Sequence, residues 1–333
     1  MIDKDGADAV RFGIMISSPA GNDLMWDETG NEQGRFFINK MWNALKLIRS
    51  WESRIESGGG SSEAGANTGG NEFAVSWFEN RLNEVRAELD SQFKDFRLSE
   101  ALKTTYSLIW DDFCSWYLEW VKPPINIPID KSVYEKTVDL FEELMQLLHP
   151  FMPFITEEIY HQLKVRKDSD DITISQFSKL EKPDLKILKY GEQLKSEITA
   201  IRDLRNKIGI GQKDKIKIDI EASTSEYYET VKPILKKQAN VESFNYVMRV
   251  DTGAYTLIGH EVKLAISTNK KVDNSLQKQQ LQKDLDYLKG FLVSVEKKLG
   301  NERFVQNAKP EVIEAERKKK ADAEAKIKVI EES

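Results

Sequence analysis

The sequence predicts a mainly α protein in three parts: a helical bundle, a small α+β module and a C-terminal antiparallel coiled-coil hairpin. Three patterns carry this expectation. Apolar residues return every three or four positions from Gly6 to Lys164, they alternate around Ile216, Ile218 and Ile220, and from Leu281 to Leu299 they keep a strict four-three spacing. Charge divides the chain in the same places. Residues 1–177 hold 18 Lys+Arg against 30 Asp+Glu, residues 178–269 hold 16 against 13, and residues 270–333 hold 15 against 12. All seven Trp fall within the first 120 residues, a second shift of composition. The expected domains are therefore 1–177, 178–269 and 270–333.

In the bundle, Ser18-Pro19 and Gly21-Asn22 end the first helix, and a second runs from Gln33 to Arg49. Residues 57–71 read SGGGSSEAGANTGGN, which cannot bury apolar surface and predicts a loop. It is not a phosphate-cradling loop, because no Gly-Lys-Ser/Thr follows and no strand precedes it. Phe78, Leu82, Val85, Leu89, Phe93 and Phe96 form the next stripe, and Leu108, Phe113, Trp116 and Trp120 the one after. Pro123-Pro124 closes that segment, while Pro150 and Pro153 precede the last helix. Ser99 is placed to cap a helix starting at Glu100, and Thr156 one carrying Glu157 and Glu158. The expectation is five or six packed helices.

A strand-like piece over Ile172–Phe177 leads to an amphipathic helix from about Gly191 to Ile208, with Leu194, Ile198, Ile201 and Leu204 inward. Alternation then predicts a strand at Ile216–Ile220, a helix at Tyr227–Gln238, and strands at Phe244–Val250, Tyr255–Ile258 and Val262–Ile266. In the last part, Leu281, Leu285, Leu288, Leu292, Val295 and Leu299 make a seam broken by Gly300-Asn301. Pro310 suits the first turn of a return helix with a weaker seam of Ile313, Ala323, Ile327 and Ile330. So short a connection predicts an antiparallel hairpin.

Several chemistries are excluded. Cys114 is the one cysteine, so an internal disulfide and any cysteine-built metal site are ruled out. No apolar run reaches about 18 residues, and the start, with Asp3, Lys4 and Asp5, is not a secretory leader. The expected location is the cytoplasm. His149, His161 and His260 lie in different elements, none with a cysteine or second histidine at ligand spacing. Asp111-Asp112, Glu142-Glu143 and Glu157-Glu158 are adjacent pairs that point about 100° apart on a helix, which suits a solvated face better than acid-base work. No catalytic, cofactor-binding or metal residue is assigned.

Three strings do stand out. GADAVRFGIMISSPAGNDLMWDE, followed by QGRFFINKMWNAL, resembles the segment of class I aminoacyl-tRNA synthetases that leaves the catalytic domain and enters the anticodon-binding helical bundle. WDDFCSWYLEWVKP and HPFMPFITEEIY resemble later helices of that bundle in the valine, isoleucine, leucine and methionine branch. KLGNERFVQNAKPEVIEAERKK resembles the turn of the coiled coil typical of valyl-tRNA synthetases. The resemblance implies the tRNA-binding C-terminal part of a larger ligase that attaches valine to its tRNA. It implies ATP and Mg2+ for a catalytic domain whose two signatures this sequence lacks, and no cofactor here. The implied partner is valine-specific tRNA, bound by a monomer, with neither DNA nor membrane involved.

Candidate contacts fall in two places. An anticodon reader needs surfaces for stacking, amides for base edges and cations for phosphates. On the Gln33–Arg49 helix, Asn39, Lys40, Asn43, Lys46 and Leu47 share one face at spacings of three and four, while Phe37, Trp42 and Leu45 turn toward the bundle. The resemblance implies that this helix lines the anticodon site. The plainer alternative is that Asn39 and Asn43 solvate the helix or bond a neighbouring one. In the hairpin, Arg303, Lys309, Arg317, Lys318, Lys319 and Lys320 are candidates for gripping tRNA backbone, or a solvated charge run. A competing reading of the whole is a non-catalytic helical scaffold or adaptor that pairs with another protein through its coiled coil.

Overall fold

The three-to-four spacing of the first 163 residues becomes, in this computed structural model, a run of helices. They are α1 (Ile2–Asp5), α2 (Ala7–Ile16), α3 (Glu28–Glu52), α4 (Thr68–Lys94), α5 (Leu98–Ser107), α6 (Leu118–Val121), α7 (Lys131–Leu148) and α8 (Pro153–Leu163). Residues 2–18, 28–55, 68–125, 127–250, 255–258, 263–268, 274–300, 313, 314, 317, 320, 323 and 327 are described. The chain divides into two compact units, residues 1–195 with 226–238, and residues 196–225 with 239–333.

In the first unit the core is aromatic. Phe12, Phe37, Trp51, Trp77, Phe78, Phe113, Tyr117, Trp120, Phe141 and Phe151 are all almost fully buried. Stacked Phe113 and Phe141, with ring centroids 5.2 Å apart, join the middle of the bundle to α7. Helices α2 and α3 meet where a Cβ on Gly30 would lie 3.0 Å from the Gly13 Cα, so glycine at both positions lets the two backbones approach. Asp130 caps α7, accepting from the Ser132 and Val133 amides at 2.7 and 3.3 Å.

Several local expectations are corrected. Ser99 lies inside α5, and its hydroxyl donates to the Ile16 carbonyl at 3.0 Å instead of capping. Thr156 lies one turn into α8 and back-bonds Met152 at 2.8 Å. The start of α8 is served from afar, because Asp8 accepts from the Phe154 and Ile155 amides at 3.3 and 2.6 Å. Ile172–Ile174 is a single turn of 3-10 helix, not a strand. Of the Gly/Ser-rich stretch, residues 57–67 lie outside those described, and from Thr68 the chain is already helical. Phe96 is 81% exposed with φ +57°, because α4 ends before it.

Between α5 and α6 the residues Leu108–Tyr117 form a π-helix. Its wider step, with the Leu118 amide bonding the Phe113 carbonyl, moves Tyr117 into the core and leaves Trp116 half-exposed. It also buries Asp112, which accepts from Arg81 at 2.9 Å and Lys195 at 3.0 Å. Helix α10 (Glu226–Ala239) is fixed to this unit by Lys237, which donates to the carbonyls of Trp120 and Lys122 at 2.8 and 2.5 Å. Those carbonyls end α6 without helical partners, so the lysine satisfies them.

The second unit is built on a four-stranded sheet ordered β2-β1-β4-β3. Its strands are β1 (Ile216–Glu221), β2 (Val241–Val247), β3 (Tyr255–Ile258) and β4 (Lys263–Ser267). β1 pairs parallel with β2 and antiparallel with β4, and Ile216, Ile218 and Ile220 are fully buried, as alternation predicts. Helix α9 (Leu185–Lys207) starts six residues before the expected point and crosses the boundary between the units. Near its end, buried Arg205 donates to the carbonyls of Ala239 and Asp214, both at 2.6 Å, and to that of Gly211. Helix α11 (Asn274–Leu299) ends as expected at Gly300. Lys320 on the return stretch pairs with Glu296 at 2.9 Å, so the chain folds back on α11, with Val295, Ala323 and Ile327 buried. Among the described residues no helix is long and apolar enough to cross a membrane.

Candidate nucleic-acid interface

Helix α3 turns Phe37, Met41, Ala44, Leu45 and Ile48 inward, all nearly or fully buried. That spacing forces the residues between them outward. Asn39, Asn43 and Lys46 are exposed, while Lys40 and Leu47 are half-buried on the same stripe. Among the described residues Asn39, Asn43 and Lys46 make no hydrogen bond or ion pair, so the two amides are not spent on a neighbouring helix. Trp42 is half-buried, less inward than Phe37 and Leu45.

Lys40 is held in place by the π-helix. Its Nζ lies 5.1 Å from the centre of the Trp110 ring, which stacks on Tyr106 at 5.5 Å with 19° between planes. Tyr106 in turn meets Phe37 at 4.7 Å. A cation, two unpaired amides and a half-exposed indole thus share one patch, on helices whose other sides are locked in the core. The sequence reading missed two members. Phe36 is 56% exposed, three and four residues before Asn39 and Lys40 and therefore on their face. Trp110 belongs to a neighbouring element and reaches the patch through the π-helical turn, which no helical-period argument reveals.

The arm is described in part. Arg303, Lys309, Lys318 and Lys319 lie outside the described residues. Arg317 is exposed, and Lys320 is half-exposed and already paired with Glu296.

Among the described residues, one thiol and one polar cluster bear on nucleophilic or metal chemistry. Burial pushes the Cys114 thiol up to about 12, the opposite of an activated thiolate. His161 on α8 lies 3.1 Å from Glu157 and 3.4 Å from Asp171, a carboxylate the sequence reading did not connect to it. These three donors lie within 4.8 Å of one another, but Glu157 also accepts the Ile172 amide at 2.9 Å and the set is largely exposed. A cluster of polar contacts tying α8 to the turn after it accounts for the arrangement.

Comparison with known proteins bears on both patches. A family described as the anticodon-binding domain of tRNA ligase matches residues 76–221, and one described as the valyl tRNA synthetase tRNA binding arm matches residues 273–333. The first match includes Trp110 and leaves the Asn39–Leu47 face outside its span. The chain is 41% identical over its full length to a valine–tRNA ligase of Parabacteroides distasonis and 39% identical to one of Porphyromonas gingivalis. A valine–tRNA ligase of Zymomonas mobilis is 28% identical over 96% of the chain. The chain spans about 37% of the length of the first two relatives and 36% of the third.

Proposed function

We infer that this chain, which belongs to the valyl-tRNA synthetase family, binds tRNA, reading the anticodon with the bundle and gripping the tRNA body with the hairpin arm. Residues 1–177 carry the reading face, 270–333 form a coiled-coil grip and 178–269 join them. In the whole ligase this binding presents valine-specific tRNA to a catalytic part that uses ATP and Mg2+, in the cytoplasm and in a monomer. The observation that carries the reading is the patch on α3. Asn39 and Asn43 present amide donors and acceptors with no partner among the described residues, beside Lys40 and a half-exposed Trp110. Unstacked loop bases are recognised by such amides, by rings to stack on and by cations at short range.

The acidic balance of residues 1–177 does not oppose this. Lys40, Lys46 and Arg49 cluster locally, and the surrounding carboxylates repel RNA that does not fit. The test is a titration of valine tRNA and of the same tRNA with an altered anticodon. Asn43→Ala should weaken the first by about 1 to 3 kcal/mol, by analogy with single base-edge contacts, and barely change the second. Equal loss with both would remove base reading from α3.

A further inference from the structure

The amine that anchors α10 to the bundle is held in a way that suits its neutral form. Lys237 Nζ donates to the carbonyls of Trp120 and Lys122 at 2.8 and 2.5 Å. A protonated amine brings three N–H groups to those two acceptors, whereas the neutral amine brings two and keeps a lone pair. Desolvation works in the same direction. It pushes the amine down to about 8, against the attraction of Glu119 and with a further push from Lys122. Lys237 also lines a cavity of about 60 Å3, whose wall includes Trp120, Val121, Ile127 and Pro233, with Asp130 as its one carboxylate. A water takes about 30 Å3 of the liquid, so there is room for a group of only a few heavy atoms. Trp120 is 1% exposed, and its indole N–H has no acceptor among the described residues. A buried donor left unpaired is costly, and a carbonyl oxygen placed in the cavity is the kind of group that would relieve it.

We propose that Lys237 is a site of covalent acylation, taking a small acyl group such as acetyl from an activated donor, either an acyl phosphate or an acyl thioester. The lone pair on Nζ attacks the acyl carbon and a C–N bond forms. The bond from that carbon to the phosphate oxygen or thiol sulfur breaks, its electron pair departs with the leaving group, and one amine proton passes to solvent. Lys237 keeps an exposed surface through which the donor reaches it. The product suits the fold. Its amide retains one N–H for one of the two carbonyls, adds the acceptor that Trp120 lacks, and carries no charge to desolvate. Gln238, which donates to the Glu119 carbonyl at 2.8 Å, still holds the end of α10 on the bundle.

The experiment treats the folded full chain with acetyl phosphate, acetyl-coenzyme A or the bulkier benzoyl phosphate, and follows acylation of each lysine by peptide mass spectrometry across alkaline pH. At pH 8 about half of an amine titrating there is neutral, against roughly 0.3% of one titrating at about 10.5. Lower basicity takes back roughly tenfold in nucleophilicity, by analogy with thiols, so Lys237 should acetylate about tenfold faster than ordinary exposed lysines. Its rate should level off above about pH 8 while theirs keep rising, and chemical denaturation should erase its lead. Benzoyl phosphate should give Lys237 no lead, because a ring exceeds the cavity. Whichever acetyl donor labels Lys237 faster identifies the source. A rate at Lys237 no greater than the lysine average, a profile that climbs with the others past pH 8, or an equal lead with benzoyl phosphate would overturn the proposal.

Discussion

Helices α3 and α11 are nearly equal in length, 25 and 26 residues, and each carries one of the two candidate RNA surfaces. Their surroundings differ. α3 buries a continuous stripe, and Arg49 near its end bonds Gln162 at 2.6 Å, so the outward side chains leave a backbone locked on its other side. Of the described side chains of α11 only Val295 is fully buried. Base discrimination needs groups fixed to within a fraction of an ångström, whereas backbone gripping tolerates movement. On the proposed function, the contrast suits the bundle to reading and the arm to holding.

The sharpest way to break that contrast is to attack the polar centre of the bundle. Asp112 is 5% exposed and bonded by both Arg81 and Lys195, so Asp112→Ala takes the buried carboxylate from two cations and leaves them only Glu84 and Glu192 nearer the surface. A loss of about 2 kcal/mol is expected in chemical denaturation. Loss below about 1 kcal/mol would mean that water supports those cations and that the bundle is less rigid than its burial implies.

A second test uses alkaline pH. Burial pushes the Lys237 amine down to about 8, while in the unfolded chain it titrates near the ordinary 10.5. Between these values the unfolded state binds more protons, so this group adds stability as pH rises from about 8 toward 10.5; below 8 the partly desolvated charge is a standing cost. Because the Lys237 side chain keeps an exposed surface, solvent screens the effect, and Lys237→Met should remove a rise of only about 1 kcal/mol from the stability profile of the bundle. An identical profile in the variant would show that the amine stays hydrated.

Most helix and strand positions were legible because burial imposes a period: β3 lies where alternation put it, and α11 stops at the Gly-Asn break. What stayed illegible depended on partners distant in sequence or on a changed period. Asp8 caps α8 through the Phe154 amide from 146 residues away, and Ser99 spends its hydroxyl on Ile16, 83 residues away, so the local caps expected at Thr156 and Ser99 do not form. The π-helix exchanged Trp116 for Tyr117 in the core and brought Trp110 beside Lys40, which a step of 3.6 does not anticipate. The early start of α9 did have a signal: Asp184 accepts from the Lys186 and Ile187 amides at 2.8 and 3.4 Å, an ordinary cap just after Pro183. On α3 the outward placement of Asn39 and Asn43, with Lys40 half-buried beside them, was legible from spacing, and that of Phe36 was equally so.

A smaller effect is expected at the cap of α7. Bonds from the Ser132 hydroxyl and amide and the Val133 amide hold the Asp130 carboxyl below its ordinary 3.8, against a weaker opposing effect of burial. A depressed carboxylate adds stability above its unfolded pKa and loses it as pH falls through the folded value. Asp130→Ala should therefore cost about 1 kcal/mol at neutral pH and less in acid. A pH-independent cost would point to packing and not to the cap.

The smallest stability change, and the most direct probe of the grip, is expected in the arm. Lys320 pairs with Glu296 where both side chains are partly exposed, 36% and 47%, so breaking the pair should shift stability by no more than about 0.5 kcal/mol. Its effect on RNA should be larger in kind. While Glu296 stands beside it, the Lys320 charge is partly offset, and a phosphate arriving there meets a carboxylate as well as an amine. Glu296→Gln removes the carboxylate and leaves the cation, so tRNA affinity at low salt should rise, whereas Lys320→Gln and Arg317→Gln should each lower it and flatten the log-log salt slope by up to about 0.9. All three should leave discrimination between anticodons unchanged. Should Glu296→Gln weaken binding instead, the pair is needed intact to shape the arm; should it alter discrimination, reading is not confined to the bundle.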